Sequence, residues 1–305
     1  MYIENRRENQ MKYSLTRLLK NIKYLMENDI REDFNKAEYK TLNDIEKNYI
    51  YELSDKLKSL NKPKILDYEK TLELITTEKK SFCRIGDGEI DIMNGKDIPF
   101  QHYDEKLAKI MINILEDDKI DMYVGINYSY FYNTSYMEPT IRKFYLMGNP
   151  EHRKLLLEKC NLNRTYINAT FNQTYVGDST LNHEKYYKAL QHMFKGHKLV
   201  IFSGKGVIDK LKYDLFELAE SKETIYGPSM DAFSEYDNIL DKARTYSKEH
   251  IMCFILGPAS KALVYQLTKE GYMAWDIGHM AKDYNAFREK KIKDKEFINS
   301  FYAPD

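Results

Sequence analysis

The chain has 305 residues, and its 47 basic and 47 acidic side chains give a formal charge of zero. This balance provides no electrostatic basis for binding nucleic acid, and the length allows one large domain with an appendage. Three scattered cysteines are too few for a disulfide framework or a zinc site, which favours a reducing compartment. No apolar run approaches the roughly 20 residues needed to span a bilayer. We therefore expect a cytoplasmic protein that is soluble or held peripherally at the inner membrane face.

Residues 1–62 differ from the rest of the chain because they contain neither glycine nor proline. Apolar residues recur there at helical spacing, first at Leu15, Leu18, Leu19, Ile22, Leu25 and Met26 and later at Ile50, Leu53, Leu57 and Leu60. The pattern predicts a helical N-terminal arm. Its apolar stripe suits packing on the main domain or on a second copy in a homo-oligomer, and the basic residues around the first helix suit an anionic membrane surface.

Six apolar runs downstream each end in polar residues or glycine. They lie at 81–85, 121–127, 198–206, 223–229, 251–260 and 272–279. Most are followed by a helical pattern, as in a mostly parallel sheet with crossover helices. The sequence therefore predicts a Rossmann-like α/β domain over residues 63–280, followed by a charged, aromatic and helical tail over 281–305. Ligands of such sheets bind at the carboxyl ends of the strands.

Two of the crossover helices have readable ends. Pro258 is suited to the start of a helix that stops at Gly271. Helical spacing of apolar residues over 207–218 predicts a second helix directly after Ser203, Gly204 and Gly206. A glycine turn at a helix N-terminus is either a phosphate site or a simple connection between a strand and a helix.

The most site-like segment is Gly86-Asp87-Gly88-Glu89, which follows the first of these strands. Glycine permits a ligand to approach the backbone closely, and two nearby carboxylates can share a divalent cation with phosphate oxygens. The alternative is an acidic turn with no ligand. His279 and Asp276 follow another strand, where they are candidates for proton transfer or metal binding.

Five ordered motifs extend this interpretation. They are R-x-G-D-G-E at 84–89, F-Q-x-Y-D at 100–104, G-P-S-x-x-A-F-x-x-Y-D at 227–237, L-G-P-A at 256–259 and D-I-G-H at 276–279. Over roughly residues 70–290 the chain resembles the bacterial glycosyltransferases with the GT-D fold. The resemblance implies transfer of a hexose from a nucleotide sugar, with UDP as the expected nucleotide, to a glycan or glycoprotein acceptor. It also implies a divalent metal, Mn²⁺ or Mg²⁺, at the D-x-E element.

Together the motifs and the strand ends define a candidate site with three groups of residues. The expected catalytic residues are Asp276 and His279, and the expected metal ligands are Asp87 and Glu89. The expected donor-binding residues are Arg84, Gly86, Gly88, Ser203, Gly204, Ser229, Gly257 and Pro258. For Arg84 a salt bridge to a neighbouring carboxylate is the alternative to a phosphate contact.

Two other functions use the same residues. A metal-dependent hydrolase of nucleotide sugars or sugar phosphates would employ the same carboxylates with water in place of the acceptor. A non-catalytic module would bind a nucleotide or a glycan in the same crevice without turnover. The sequence leaves open which sugar and acceptor are used, and whether the sugar's configuration is retained.

Overall fold

The structure is a computed structural model, and it describes residues 16–24, 26–27, 36–38, 40–41, 60–117, 119–132, 134–138, 141–142 and 150–303. The chain divides into two compact units, Met1–Leu60 and Asn61–Asp305. The first unit is helical at 16–24, 26–27, 36–38 and 40–41, which confirms the predicted arm helix there. Leu15, Leu25, Ile50, Leu53 and Leu57 of the predicted stripe lie outside the described residues.

The second unit is built on one parallel sheet of eight strands. These are β1 (Lys64–Ile65), β2 (Ser81–Ile85), β3 (Met122–Ile126), β4 (Thr165–Asn168), β5 (Lys198–Gly204), β6 (Ser221–Gly227), β7 (His250–Ile255) and β8 (Met273–Asp276). Their order across the sheet is β1-β4-β3-β2-β8-β7-β5-β6. All six predicted strands are present, and β1 and β4 were not predicted. Strands β2 and β8 lie side by side at the centre, so their carboxyl ends adjoin.

The helices of the second unit alternate with these strands. They are α1 (Tyr68–Thr77), α2 (Asp87–Met93), α3 (Glu105–Glu116), α4 (Pro150–Lys159), α5 (Thr174–Gly177), α6 (His183–Met193), α7 (Tyr236–Arg244), α8 (Ala259–Lys269), α9 (Met280–Arg288) and α10 (Lys295–Tyr302). Helix α8 follows Pro258 and ends before Gly271, whose φ of +82° only glycine adopts easily, as predicted. Among the described residues, no helix is both long and apolar enough to cross a bilayer.

Both faces of the inner strands are buried, as continuous apolar strands of a parallel sheet require, whereas the residues of the edge strand β6 are exposed or half-buried. Along β5, Leu199 and Ile201 belong to one apolar cluster, and Val200 and Phe202 belong to the other. One cluster is covered by α1, α6 and α9, and the other by α3, α4, α7, α8 and α10. All three cysteines are buried and free.

The predicted helix over 207–218 is wrong, because this segment forms a series of turns. Backbone N–H groups of this segment, which would bond to carbonyl groups of the same segment in a helix, donate to side chains instead. Asn285 Oδ1 accepts from the amides of Lys212 at 2.9 Å and Tyr213 at 3.1 Å. Leu215 and Phe216 are nevertheless buried. The apolar spacing therefore reflects packing of an irregular segment, and no helix N-terminus follows Gly206.

The predicted C-terminal tail forms two helices, α9 and α10, as expected from its pattern. It belongs to the same compact unit as the sheet. Ile298 and Phe301 of α10 are buried in one of the two apolar layers. The tail is thus part of the domain core and supplies one wall of the pocket described below.

Candidate active site

A pocket of about 550 Å³ lies at the carboxyl ends of the strands. Eleven of the twelve residues predicted for the site line it, namely Arg84, Gly86, Asp87, Gly88, Glu89, Gly204, Ser229, Gly257, Pro258, Asp276 and His279. Ser203 does not line the pocket. It is fully buried in β5, and its Oγ has no hydrogen-bond partner among the described residues. The predicted convergence of polar strand ends is therefore present in the fold.

Arg84 and Asp276 pair at the centre of the pocket floor because their strands, β2 and β8, are neighbours. Arg84 Nη2 lies 3.0 Å from Asp276 Oδ1, and the Arg84 amide donates to Asp276 Oδ2 at 3.2 Å. Arg84 Nη1 donates to Asn172 Oδ1 at 3.0 Å. The salt bridge of Arg84 therefore goes to Asp276 and not to either carboxylate of the GDGE segment. Several guanidinium N–H groups are committed to protein acceptors.

Lys261 adds a second buried cation to this floor. Its Nζ lies 2.8 Å from Glu89 Oε1 and 3.1 Å from Asp276 Oδ2, and it donates to the Gly257 carbonyl at 3.1 Å. Burial alone would lower the pKa of Lys261, but the charges of Asp276 and Glu89 outweigh it and raise that pKa. Burial alone would raise the pKa of Asp276, but Arg84 and Lys261 hold it below its usual value. Both shifts favour the charged forms of Lys261 and Asp276.

Helix α2 begins inside the GDGE segment, so the two carboxylates occupy its first turn. Gly86 precedes the helix, and its amide donates to Glu89 Oε2 at 2.8 Å. Acidic residues in a first turn are favoured by the helix dipole. Glu89 is buried and contacts both Lys261 and Gly86, whereas Asp87 is exposed on the pocket surface. The two carboxylates thus occupy different environments.

The pKa of Asp87 is raised above its usual value, first by partial desolvation among the surrounding pocket atoms and then by the nearby Glu89 charge. A bound cation would oppose both effects. Asp87 therefore fits a metal ligand. Glu89 fits this role less well, because a lysine ammonium and a backbone amide already occupy its oxygens. Within the described ranges no three His, Cys, Asp or Glu side chains form a ligand cluster, so a metal here would need phosphate and water ligands.

Two of the sequence motifs contact each other and build one side of the pocket. The Asp231 amide donates to the Phe100 carbonyl at 2.7 Å, and Gln101 Oε1 accepts from the Phe233 amide at 3.1 Å. Phe100 itself lines the pocket. The motifs F-Q-x-Y-D and G-P-S-x-x-A-F are therefore the two halves of one wall.

The loops after β5 and β6 meet closely at a second side. A Cβ atom on Gly204 would lie 2.7 Å from Ser229 Oγ, a distance that real Cβ contacts do not show. Glycine at 204 is thus required by the approach of Ser229. Apolar residues continue this side of the pocket at Val207, Ile208, Leu211, Ile255 and Leu256.

The C-terminal helices form the wall that contains His279. This histidine precedes α9, and its ring centroid lies 5.3 Å from that of Phe301 and 5.9 Å from that of Tyr302. Tyr302 also lines the pocket. His279 is therefore held by aromatic packing at the pocket edge and is half-buried there.

Comparison with known proteins agrees with this architecture. The model of the family "Glycosyltransferase GT-D fold" matches residues 82–303, which is most of the chain. The chain therefore belongs to the GT-D-fold glycosyltransferases, and the resemblance inferred from its motifs is confirmed at the level of family and fold.

Two curated relatives are streptococcal. The chain is 26% identical over 232 residues to "Probable glycosyl transferase Gly" of Streptococcus gordonii, and this match covers 73% of the chain and 33% of the relative. It is 28% identical over 222 residues to "Glycosyltransferase GlyD" of Streptococcus pneumoniae serotype 4, with 71% of the chain and 26% of the relative covered. The chain thus matches a third or less of the length of these relatives.

Solved structures show the same fold. A domain of unknown function 1792, described as having a distinct glycosyltransferase fold, superimposes with a TM-score of 0.71 at 31% identity, covering 77% of this chain and 84% of that one. A glycosyltransferase from Streptococcus sanguinis gives a TM-score of 0.71 at 25% identity, with coverages of 77% and 87%.

Sequence reasoning missed Lys261 and Asn172, which complete the polar floor. Lys261 sits in the first turn of α8, where the helix dipole disfavours a cation. A lysine at such a position, two residues after the L-G-P-A motif, was the available signal. Asn172 carried no comparable signal, because its contact with Arg84 depends on how β4 and β2 are placed in the sheet.

Proposed function

We propose that this protein is a metal-dependent hexosyltransferase that moves a sugar from a nucleotide donor, a UDP-sugar, to a glycan or glycoprotein acceptor. The observation that carries the proposal is the pocket at the carboxyl ends of the strands, where Arg84, Asp87 and His279 converge in a chain of the GT-D-fold family. Its volume of about 550 Å³ falls within the range of small-molecule sites.

The central chemical requirement of glycosyl transfer is to stabilise the leaving diphosphate. Negative charge grows on the phosphate oxygen as the bond to the anomeric carbon breaks, so preorganised positive charge must face it. Arg84 is fixed by Asp276 and Asn172 and lines the pocket. We assign it the contact with the diphosphate, made by the one Nη2 hydrogen that its protein partners leave available. The two closely packed loops at Gly204 and at Ser229 and the loop at Gly257 and Pro258 are assigned to the rest of the donor.

A divalent cation, Mn²⁺ or Mg²⁺, would be held chiefly by Asp87, with Glu89 as the second carboxylate and with phosphate and water oxygens completing its shell. When bound, such an ion supplies charge stabilisation for the departing nucleotide. His279 is assigned to the acceptor side, where it takes the proton of the acceptor hydroxyl or orients that hydroxyl. Arg84 and Lys261 keep the pKa of Asp276 low, so Asp276 is a carboxylate at neutral pH. Any catalytic role that it has is therefore electrostatic and not that of a proton donor.

Titration calorimetry with UDP, with and without Mn²⁺, tests the donor site. We expect UDP to bind only weakly in EDTA and at least tenfold more tightly with Mn²⁺, because Asp87 alone makes an incomplete metal site. Asp87→Asn should abolish this difference, and Glu89→Gln should reduce it. Glu184→Gln is the matched control, since Glu184 is an exposed acidic residue in the first turn of α6. Equal UDP affinity in EDTA and Mn²⁺ would contradict the metal role.

Turnover separates the three classes of function. A transferase consumes UDP-sugar rapidly only when an acceptor is present, whereas a hydrolase consumes it equally fast in water alone. A binding module consumes none. The panel should pair several UDP-sugars with glycan and glycoprotein acceptors.

The cellular setting is also part of the proposal. Three free, buried cysteines suit a reducing compartment, and we place the reaction in the cytoplasm. The N-terminal arm that the sequence predicts over residues 1–62 is assigned to contact with a second copy or with the inner membrane surface. Flotation with anionic liposomes and the measured oligomeric state distinguish these two roles.

A further inference from the structure

Lys261 is buried in the pocket floor with only 3% of its surface exposed. Lysine is almost never buried to this extent unless it is paired. Its place in the first turn of α8 adds an unfavourable helix dipole. The carboxylates that contact it must therefore offset both the burial and the dipole.

The ammonium group of Lys261 has no hydrogen left for a ligand. Its three hydrogens match three acceptors, Glu89 Oε1 at 2.8 Å, Asp276 Oδ2 at 3.1 Å and the Gly257 carbonyl at 3.1 Å. Any effect of Lys261 on a ligand must therefore act through the groups that it holds.

Those groups come from three separate parts of the fold. Glu89 lies in the first turn of α2, Asp276 ends β8, and Gly257 lies between β7 and α8. Glu89 also accepts the Gly86 amide through its other oxygen. Lys261 thus ties the turn that carries Asp87 to the central strand that carries the partner of Arg84.

The charges of this floor also balance. The two cations Arg84 and Lys261 face the two carboxylates Asp276 and Glu89. Asp87, which lies on the same turn as Glu89, is outside this neutral set and is exposed to the pocket. Its charge is available to a ligand.

We propose that Lys261 is a positioning residue of the donor site: by fixing Glu89 against Asp276 it orients the GDGE turn and leaves Asp87 as the carboxylate that faces the donor. This inference rests on the proposed donor site and adds to it a residue that acts through the groups it holds.

Four variants test the inference, namely Lys261→Met, Glu89→Gln, the double variant that combines them, and Lys269→Met. Lys269 is the matched control, because it is an exposed lysine at the other end of the same helix. Each is measured for its melting temperature and, by calorimetry, for its affinity for UDP in Mn²⁺.

We expect Lys261→Met to melt roughly 10 °C below the wild type, because it leaves a carboxylate buried without its partner. The double variant removes both charges and should regain most of this loss. Its UDP affinity should nevertheless stay at least tenfold below that of Glu89→Gln, because Glu89→Gln keeps a side-chain oxygen for Lys261 to hold, whereas methionine and glutamine together do not fix the turn. Lys269→Met should match the wild type in both measurements.

Two results would overturn the inference alone. One is a Lys261→Met protein with wild-type melting and wild-type UDP affinity. The other is a double variant that binds UDP as tightly as Glu89→Gln, which would limit Lys261 to a structural role. If Lys261→Met does not fold, the double variant decides. A wild type that binds no UDP removes the proposed donor site and this inference with it.

Discussion

Gly278 provides the sharpest test of the pocket floor. Its φ is +42°, and a Cβ atom built on it would lie 1.9 Å from Arg84 Nη2 and 2.8 Å from Arg84 Cζ. Gly278→Ala must therefore strain the backbone and also displace the guanidinium from Asp276 and Asn172. The strain costs about 1–2 kcal/mol. Breaking a buried ion pair costs roughly 3–5 kcal/mol more. We expect the free energy of unfolding to fall by about 4–7 kcal/mol.

Gly95 is the matched control for this substitution. It has a φ of +82°, and a Cβ atom there meets nothing within 4 Å. Gly95→Ala should therefore show only the backbone strain of about 1–2 kcal/mol. Urea denaturation of both variants gives the free energies, and calorimetry with UDP gives the binding. Only Gly278→Ala should lose UDP affinity.

The Arg84→Ala background isolates the clash. Without the Arg84 side chain, Gly278→Ala should cost much less than in the wild-type background, because the closest clash is gone and only Asn172 Nδ2, 2.9 Å from the new Cβ atom, still has to move. The reasoning is refuted if Gly278→Ala and Gly95→Ala are equally mild in the wild-type background. It is also refuted if the cost of Gly278→Ala is the same with and without Arg84.

Three further predictions concern other parts of the chain. His279→Ala should lower the free energy of unfolding by about 1 kcal/mol, because aromatic packing is lost. It should also lower turnover about a hundredfold. Intact turnover per folded molecule would show that His279 only packs against its aromatic neighbours. The pKa of the buried Asp283 carboxyl is raised to about 7, chiefly by desolvation. The folded protein therefore favours the protonated carboxyl. Its contribution to the free energy of unfolding is complete below the unfolded pKa of about 3.9 and is lost as the pH rises through 7. Relative to Asp283→Asn, the wild type should therefore lose about 1.4 kcal/mol per pH unit between about pH 4 and 7 in urea titrations; identical slopes in the two proteins would contradict this. A protein that begins at Asn61 should keep the melting temperature and UDP affinity of the full chain, because residues 61–305 form their own compact unit; failure to fold would show that the arm is needed for stability.

The central strands could be predicted from sequence because each is a continuous apolar run with a polar or glycine end. A parallel sheet places all such ends on one edge, so the same pattern also predicted a shared pocket. Strands β1 and β4 were not predicted because they have two and four residues, too few to show a pattern of apolar residues. The helix over 207–218 was predicted wrongly for a different reason. Its apolar residues do have helical spacing, but backbone N–H groups of the segment donate to side chains such as Asn285 and not to a helical carbonyl.

The sequence by itself determined the fold class, the motif residues of the site and the strand ends that line the pocket. These follow from local patterns of apolar residues, glycines and helix caps. Only the tertiary structure decided which charges pair. Arg84 bonds Asp276 because β2 and β8 are adjacent, and Lys261 reaches Glu89 because α8 packs on β2 and β8 close to the start of α2. Strand order and helix rotation set these distances, and neither is encoded in the residues that form the pairs.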